Sequence, residues 1–117
     1  MIRIHTSSRY KVKRKRIISL AQKFMDKHGV GSDLVNIVFV GKRKMRSIAS
    51  EYGHGNVAKP VLSFPIRDEV SEEEATTLLG EIIICYPQAV LLAAEKDKSV
   101  DKTIDQLVEH GISNLVY

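Results

Sequence analysis

The chain has 117 residues, which predicts one domain around one core, and its 44% hydrophobic and 27% charged content is ordinary for a soluble globular chain. The opening MIRIHTSSRY carries no apolar leader, and no later apolar run approaches the ~20 residues of a membrane span. Cys85 is the single cysteine, which excludes a disulfide framework and a thiolate metal cluster and reads as a reducing cytoplasm.

The net charge of +4 conceals an asymmetry. Residues 1–59 hold 14 Lys and Arg against 3 Asp and Glu, a balance of +11; residues 60–117 hold 4 against 11, a balance of −7. One half suits a polyanion and the other repels it. A uniformly basic RNA coat protein would not divide in this way.

In chain order, Met1 to Thr6 alternates Ile2 and Ile4 with Arg3 and His5, the pattern of a half-buried strand. Thr6-Ser7-Ser8 offers turn and N-cap chemistry. Val12 to His28 reads as a helix with Ile17, Ala21, Phe24 and His28 on one face, Ile18 and Met25 beside them, and Gly29 and Gly31 ending it. His28 then stands near a helix C-terminus, where a cation is favoured.

Arg9, Lys11, Lys13, Arg14, Lys15 and Arg16 crowd the start of that helix, and Lys42, Arg43, Lys44 and Arg46 crowd the start of the next. Cations oppose the positive end of a helix dipole, at a few tenths of a kcal/mol each when exposed. The same position suits phosphate, because free N–H groups and side-chain charge act together. The pattern therefore points to RNA contact, against the plainer alternative of a solvated basic surface.

Leu34 to Val40 is a near-continuous β-branched run, suited to a strand covered on both faces. Gly41 leads into a helix through Tyr52, with Met45, Ile48, Ala49 and Tyr52 inward. Gly53-His54-Gly55-Asn56 is a flexible loop, from which His54 can reach a cleft or simply face solvent. Pro60 to Pro65 is a short strand suited to a sheet edge, followed by a polar, acidic excursion from Arg67 to Glu74. Gly80 to Cys85 is another buried strand. Pro87 sits where a helix begins, continuing to Lys96 with Val90, Leu91, Ala93 and Ala94. Strands alternating with helices indicate an α/β or α+β sandwich of about four strands.

The final helix, capped by Ser99 or Asp101, carries its apolar stripe at Ile104, Leu107, Val108, Gly111, Ile112 and Leu115. His110 and Asn114 lie one turn apart on its flank. Two imidazoles at that spacing would form half of a zinc site. With Asn second, His110 is expected to be partly buried and held by packing and a hydrogen bond to Asn114.

These pieces, taken in order, resemble the YbeY family of ribosomal-RNA maturation proteins. Val61-Leu62-Ser63-Phe64-Pro65 reproduces the family's VLSFP strand, and Leu79-Gly80-Glu81-Ile82 its LGDI strand with Glu for Asp. Ile37 to Val40 leads into the right kind of helix, and His110-Gly111 opens the closing HGxLHLxGYDH motif. The resemblance implies an α+β sandwich with a mixed, roughly four-stranded sheet packed with helices, spanning residues 1–117 as one domain without the end of the closing motif.

It also implies a zinc-dependent, single-strand endoribonuclease acting on ribosomal RNA and the small ribosomal subunit. On that resemblance the first zinc ligand is His110, the second falls on Asn114, and the third lies three residues past Tyr117. The family's loop arginine falls on Gly53, and its Pro-Thr-Asp on Ala58-Lys59-Pro60. Catalytic zinc takes three protein ligands and an open position, and a neutral amide oxygen is a poor match for it.

Two readings follow. In one, a non-catalytic relative without cofactor or membrane binds ribosomal RNA, or the small subunit or its proteins, through the ten basic residues. In the other, an active zinc nuclease has a reorganised site that borrows His54 and Tyr117. A structural role without RNA is disfavoured by the +11 half.

Overall fold

The computed structural model describes residues 1–71, 73 and 76–117. Eight elements follow in the order β1 (Ile2–His5), α1 (Arg14–Lys27), β2 (Leu34–Val40), α2 (Lys42–Glu51), β3 (Val61–Ser71), β4 (Thr76–Cys85), α3 (Tyr86–Glu95) and α4 (Val100–Val116). The four strands form one mixed sheet in the order β1-β2-β4-β3. β1 pairs parallel to β2 and β2 to β4, while β3 runs antiparallel to β4 on the edge. This is the expected α+β sandwich.

Side-chain alternation divides the sheet between two layers. Val35, Ile37 and Phe39 of β2, with Ile82 and Ile84 of β4, face α1 and α4 in the larger core. Leu62, Ile83 and Cys85 point the other way, onto Met45 and Ala49 of α2. Every residue of the expected stripe on α4 is buried. At about 1.5–3 kcal/mol per fully buried aliphatic side chain, Ile104, Leu107, Val108, Ile112 and Leu115 together contribute roughly 7–15 kcal/mol before entropy.

Gly111 lets this helix approach the sheet. A Cβ there would stand 2.7 Å from Ile82 Cγ2, so any side chain would push α4 off β4. The approach is fixed from β3: Ser63 Oγ donates to the Gly111 carbonyl at 3.1 Å, and Arg67 donates to the Leu115 carbonyl at 2.7 Å. Ser99 is the N-cap of α4, its Oγ accepting from the Lys102 N–H at 3.1 Å.

Several expectations need correction. α1 begins at Arg14, and its N-cap, Lys13, makes no side-chain capping bond; Thr6, Ser7 and Ser8 belong to the preceding loop. On α1, Met25 is fully buried and Ile18 is exposed, because the helix turns the Ile17-Ala21-Met25 row to the core. On α2, Tyr52 is 59% exposed, since the helix ends at Glu51 and the ring only flanks Phe64. On α3, Ala89 and Ala93 face inward, while Val90 and Leu91 are exposed. β3 runs on to Ser71 through irregular pairing with Thr76–Leu78, so the stretch expected as an excursion is mostly strand. Residues 72 and 74 of that stretch lie outside the described ones.

Candidate nucleic-acid interface

Parallel strands bring their C-terminal ends to one edge of the sheet. The loop after β1 and the Gly41 turn after β2 therefore meet, with α1 and α2 leaving to opposite faces. A crevice between two such turns is the usual ligand position in open α/β sheets. A cleft of about 1000 Å³ lies there, lined by Arg9 and Tyr10 from one loop and by Gly41, Lys42, Arg43 and Lys44 from the other. Ser7, Ser8 and Ser47 add hydroxyls to its wall. Gly41 lets the two loops touch, since a Cβ there would stand 2.6 Å from the Tyr10 hydroxyl oxygen.

The first turn of α2 has no acidic residue, and Gly41 makes no side-chain capping bond. Its leading N–H groups thus carry their partial positive charge at the cleft end, where no acidic residue among the described ones lines the wall. Arg9, Lys42, Arg43, Lys44 and Arg46 are all exposed, and none has a carboxylate partner among the described residues.

The cations on α1 are placed differently. Lys13 pairs with Asp101 at 2.8 Å and Arg16 with Asp105 at 2.5 Å, both reaching across to α4. Arg14 donates to the Ile4 carbonyl at 2.9 Å. The hydrogen bond from Lys13 holds the Asp101 carboxyl below its ordinary range, and the one to Asp105 raises the Arg16 guanidinium. Lys11 and Lys15 are exposed and have no such partners among the described residues. The single expected cluster at residues 9–16 is therefore two populations, one engaged and one open.

At the far end of α4, His110 and Asn114 are both exposed, not partly buried, because the stripe carries the helix's other face to the sheet. The Asn114 amide donates to His110 Nε2 at 3.3 Å, the hydrogen bond expected one turn on. Tyr117 meets Nδ1 of His28 at 2.5 Å, with His28 tilted against Phe24 at 4.4 Å. His28 thus ties the end of α1 to the end of α4. His54 lies edge-on to Phe64 at 6.4 Å, and Phe64 packs against the α2 core on the opposite face of the sheet from α4. His54 and Tyr117 are not brought to His110, so the borrowed site does not assemble.

Comparison with known families settles the fold's affiliation: the chain matches the profile described as Endoribonuclease YbeY over residues 2–116. The chain belongs to the YbeY family. Relatives of that description include a Finegoldia magna protein, 34% identical over 70% of this chain, and a Thermodesulfovibrio yellowstonii protein, 32% identical over 71%. These alignments cover 52% and 51% of those proteins, so the chain spans about half the length of the curated relatives it matches. A Desulforamulus reducens YbeY is 33% identical over 87% of the chain and 69% of its own length. A solution structure of a Thermotoga maritima protein superposes with a TM-score of 0.70 at 23% identity, covering the whole chain and 73% of that protein, which supports the fold.

The YbeY resemblance implies zinc, and the residues present do not fit it. The Nε2 lone pair that would bind a metal accepts the Asn114 amide, and Asn114 itself is a neutral donor. Among the described residues, no three His, Cys, Asp or Glu side chains gather as a metal site.

Sequence reasoning missed Tyr10, Gly41 and Ser47 in the cleft and Arg67 beneath the motif helix. The first three were findable, since two parallel strands must end beside each other. Arg67 was hidden by being read as part of an acidic excursion.

Proposed function

We propose that this chain is a YbeY-family protein of ribosomal-RNA maturation that binds RNA through its basic N-terminal half and lacks the family's metal-dependent nuclease chemistry. The observation that supports it is the set of exposed cations Arg9, Lys11, Lys15, Lys42, Arg43, Lys44 and Arg46, which have no carboxylate partner among the described residues, on a chain whose other half is acidic. Such a surface draws a polyanion by counterion release, which needs no metal. The small ribosomal subunit, or its proteins, would be the setting in which that RNA is met, in the cytoplasm.

The absence of nuclease chemistry rests on Asn114 in the second ligand position and Gly53 in that of the loop arginine. A second reading, an active single-strand endoribonuclease, draws on the name carried by its relatives. Two measurements separate them: filter binding of a small-subunit ribosomal-RNA fragment, and cleavage of that fragment with added zinc. Binding that weakens steeply with salt, without cleavage, is expected. Zinc-dependent cleavage abolished by His110→Ala would establish the second reading and overturn the first.

A further inference from the structure

The two populations of cations make different predictions about where a strand of RNA lies. We infer that RNA phosphates bind in the cleft between Arg9 and the first turn of α2, and that Lys13, Arg14 and Arg16 serve the fold. This rests on the RNA-binding reading and deepens it, because it divides one basic half into a contact surface and a structural seam.

Compensation is the deciding quantity. Lys13 and Arg16 already face carboxylates at 2.8 and 2.5 Å, and those carboxylates would repel an incoming phosphate. Arg14 is spent on a backbone carbonyl of β1. In the cleft, Arg9, Lys42, Arg43 and Lys44 converge from loops more than thirty residues apart in sequence, with no anion among the described residues to balance them. A concave wall concentrates the field of such a group.

The α2 turn adds to this field. Three consecutive cations at an uncapped helix start destabilise that helix in the isolated chain, and a phosphate would reverse the penalty. At Gly41 the space of a side chain is taken by the Tyr10 hydroxyl, which lies against the start of α2 as a further polar group. Hydroxyls of Ser7, Ser8 and Ser47 supply further donors.

The aromatic wall selects the form of RNA. Tyr10, stacked on Tyr86 at 5.1 Å, forms part of the cleft wall. A single strand can lay its unpaired bases against an aromatic ring, whereas the bases of a duplex are already stacked on one another. The occupant is therefore the backbone of single-stranded RNA.

The test is fluorescence anisotropy with a labelled single-stranded RNA and with its duplex, across about 50–300 mM KCl. Two variants of the full chain are compared with wild type: Arg9→Ala with Lys42→Ala and Lys44→Ala, and Lys13→Ala with Arg16→Ala. Each substituted side chain is exposed, and thermal unfolding confirms that both variants fold. The cleft variant should bind the single strand about tenfold more weakly or worse near 100 mM salt, with a salt slope flatter by roughly two, at ~0.7 per lost single-strand contact. The seam variant should bind within about twofold of wild type. Backbone amides of Lys42 to Lys44 should shift in NMR spectra when the single strand is added. Wild-type affinity in the cleft variant, or loss confined to the seam variant, overturns the cleft while leaving RNA binding intact. Duplex bound more tightly than single strand overturns the assigned occupant. A wild-type chain that binds neither RNA at the lowest salt removes the RNA reading itself, and the cleft assignment with it.

Discussion

At the scale of single residues, His110 is the informative position. Its imidazole sits in solvent, bonded to an amide that is also exposed, so little stability depends on either group. The helical spacing is nevertheless that of a two-histidine metal grip, and only the second side chain is wrong for it. Asn114→His replaces the donor amide with a second imidazole at i+4. The variant should acquire zinc-dependent stability, rising by roughly 1.4 kcal/mol once free zinc exceeds its Kd about tenfold, while wild type stays unchanged. Thermal melts with and without zinc measure this. A wild-type melting temperature that climbs with zinc as steeply as the variant's would show that a metal site exists which these side chains do not explain.

At the scale of elements, α4 was fully legible because its signal is periodic and local. Each of the six stripe residues is buried, and Ser99 caps the helix through a bond spanning three residues. β3 was less legible: its first half shows alternation, while Arg67, Asp68 and Glu69 look like a loop until the pairing with Leu78 and Thr77 is known. The same limit hid the seam between α1 and α4, whose Arg16–Asp105 pair joins residues 89 apart. Sequence shows that a cation exists; only the fold shows whether it is engaged. The seam has a consequence for pH. Asp101 has its folded pKa lowered from 3.8, chiefly by the hydrogen bond from Lys13, so its contribution is present above that value and lost as pH falls through the lower folded one. Asp101→Asn should remove that part of the acid sensitivity, so the urea midpoints of variant and wild type should converge below about pH 4. The effect is small, because both partners are solvent-exposed. A constant gap between the two proteins from neutral to acid pH would assign Asp101 a role independent of its charge.

At the scale of the whole molecule, the +11 and −7 halves are not two separate surfaces. β4, from the acidic half, inserts between β2 and β3, and α4 lies beside α1, so part of the charge division is neutralised internally at the seam. At the cleft Arg9, Lys42, Arg43 and Lys44 have no carboxylate partner among the described residues. Salt should act on these two regions with opposite signs. Screening the seam weakens two ion pairs whose cations are exposed, Asp105 being the one largely buried partner. Screening the cleft relieves repulsion among four or five cations at a helix start, a few tenths of a kcal/mol each. The two effects oppose each other, so wild-type stability should change less between about 50 and 500 mM NaCl than that of a variant lacking either set of charges. Removing one side exposes the other. Lys13→Ala with Arg16→Ala should leave a protein that gains stability with salt, and Lys42→Ala with Lys44→Ala one that loses it. Urea unfolding of the three proteins at both salt concentrations reads the two slopes directly. Slopes of the same sign in both variants would mean that the seam and the cleft are not electrostatically opposed, and that the internal neutralisation extends to the α2 end as well.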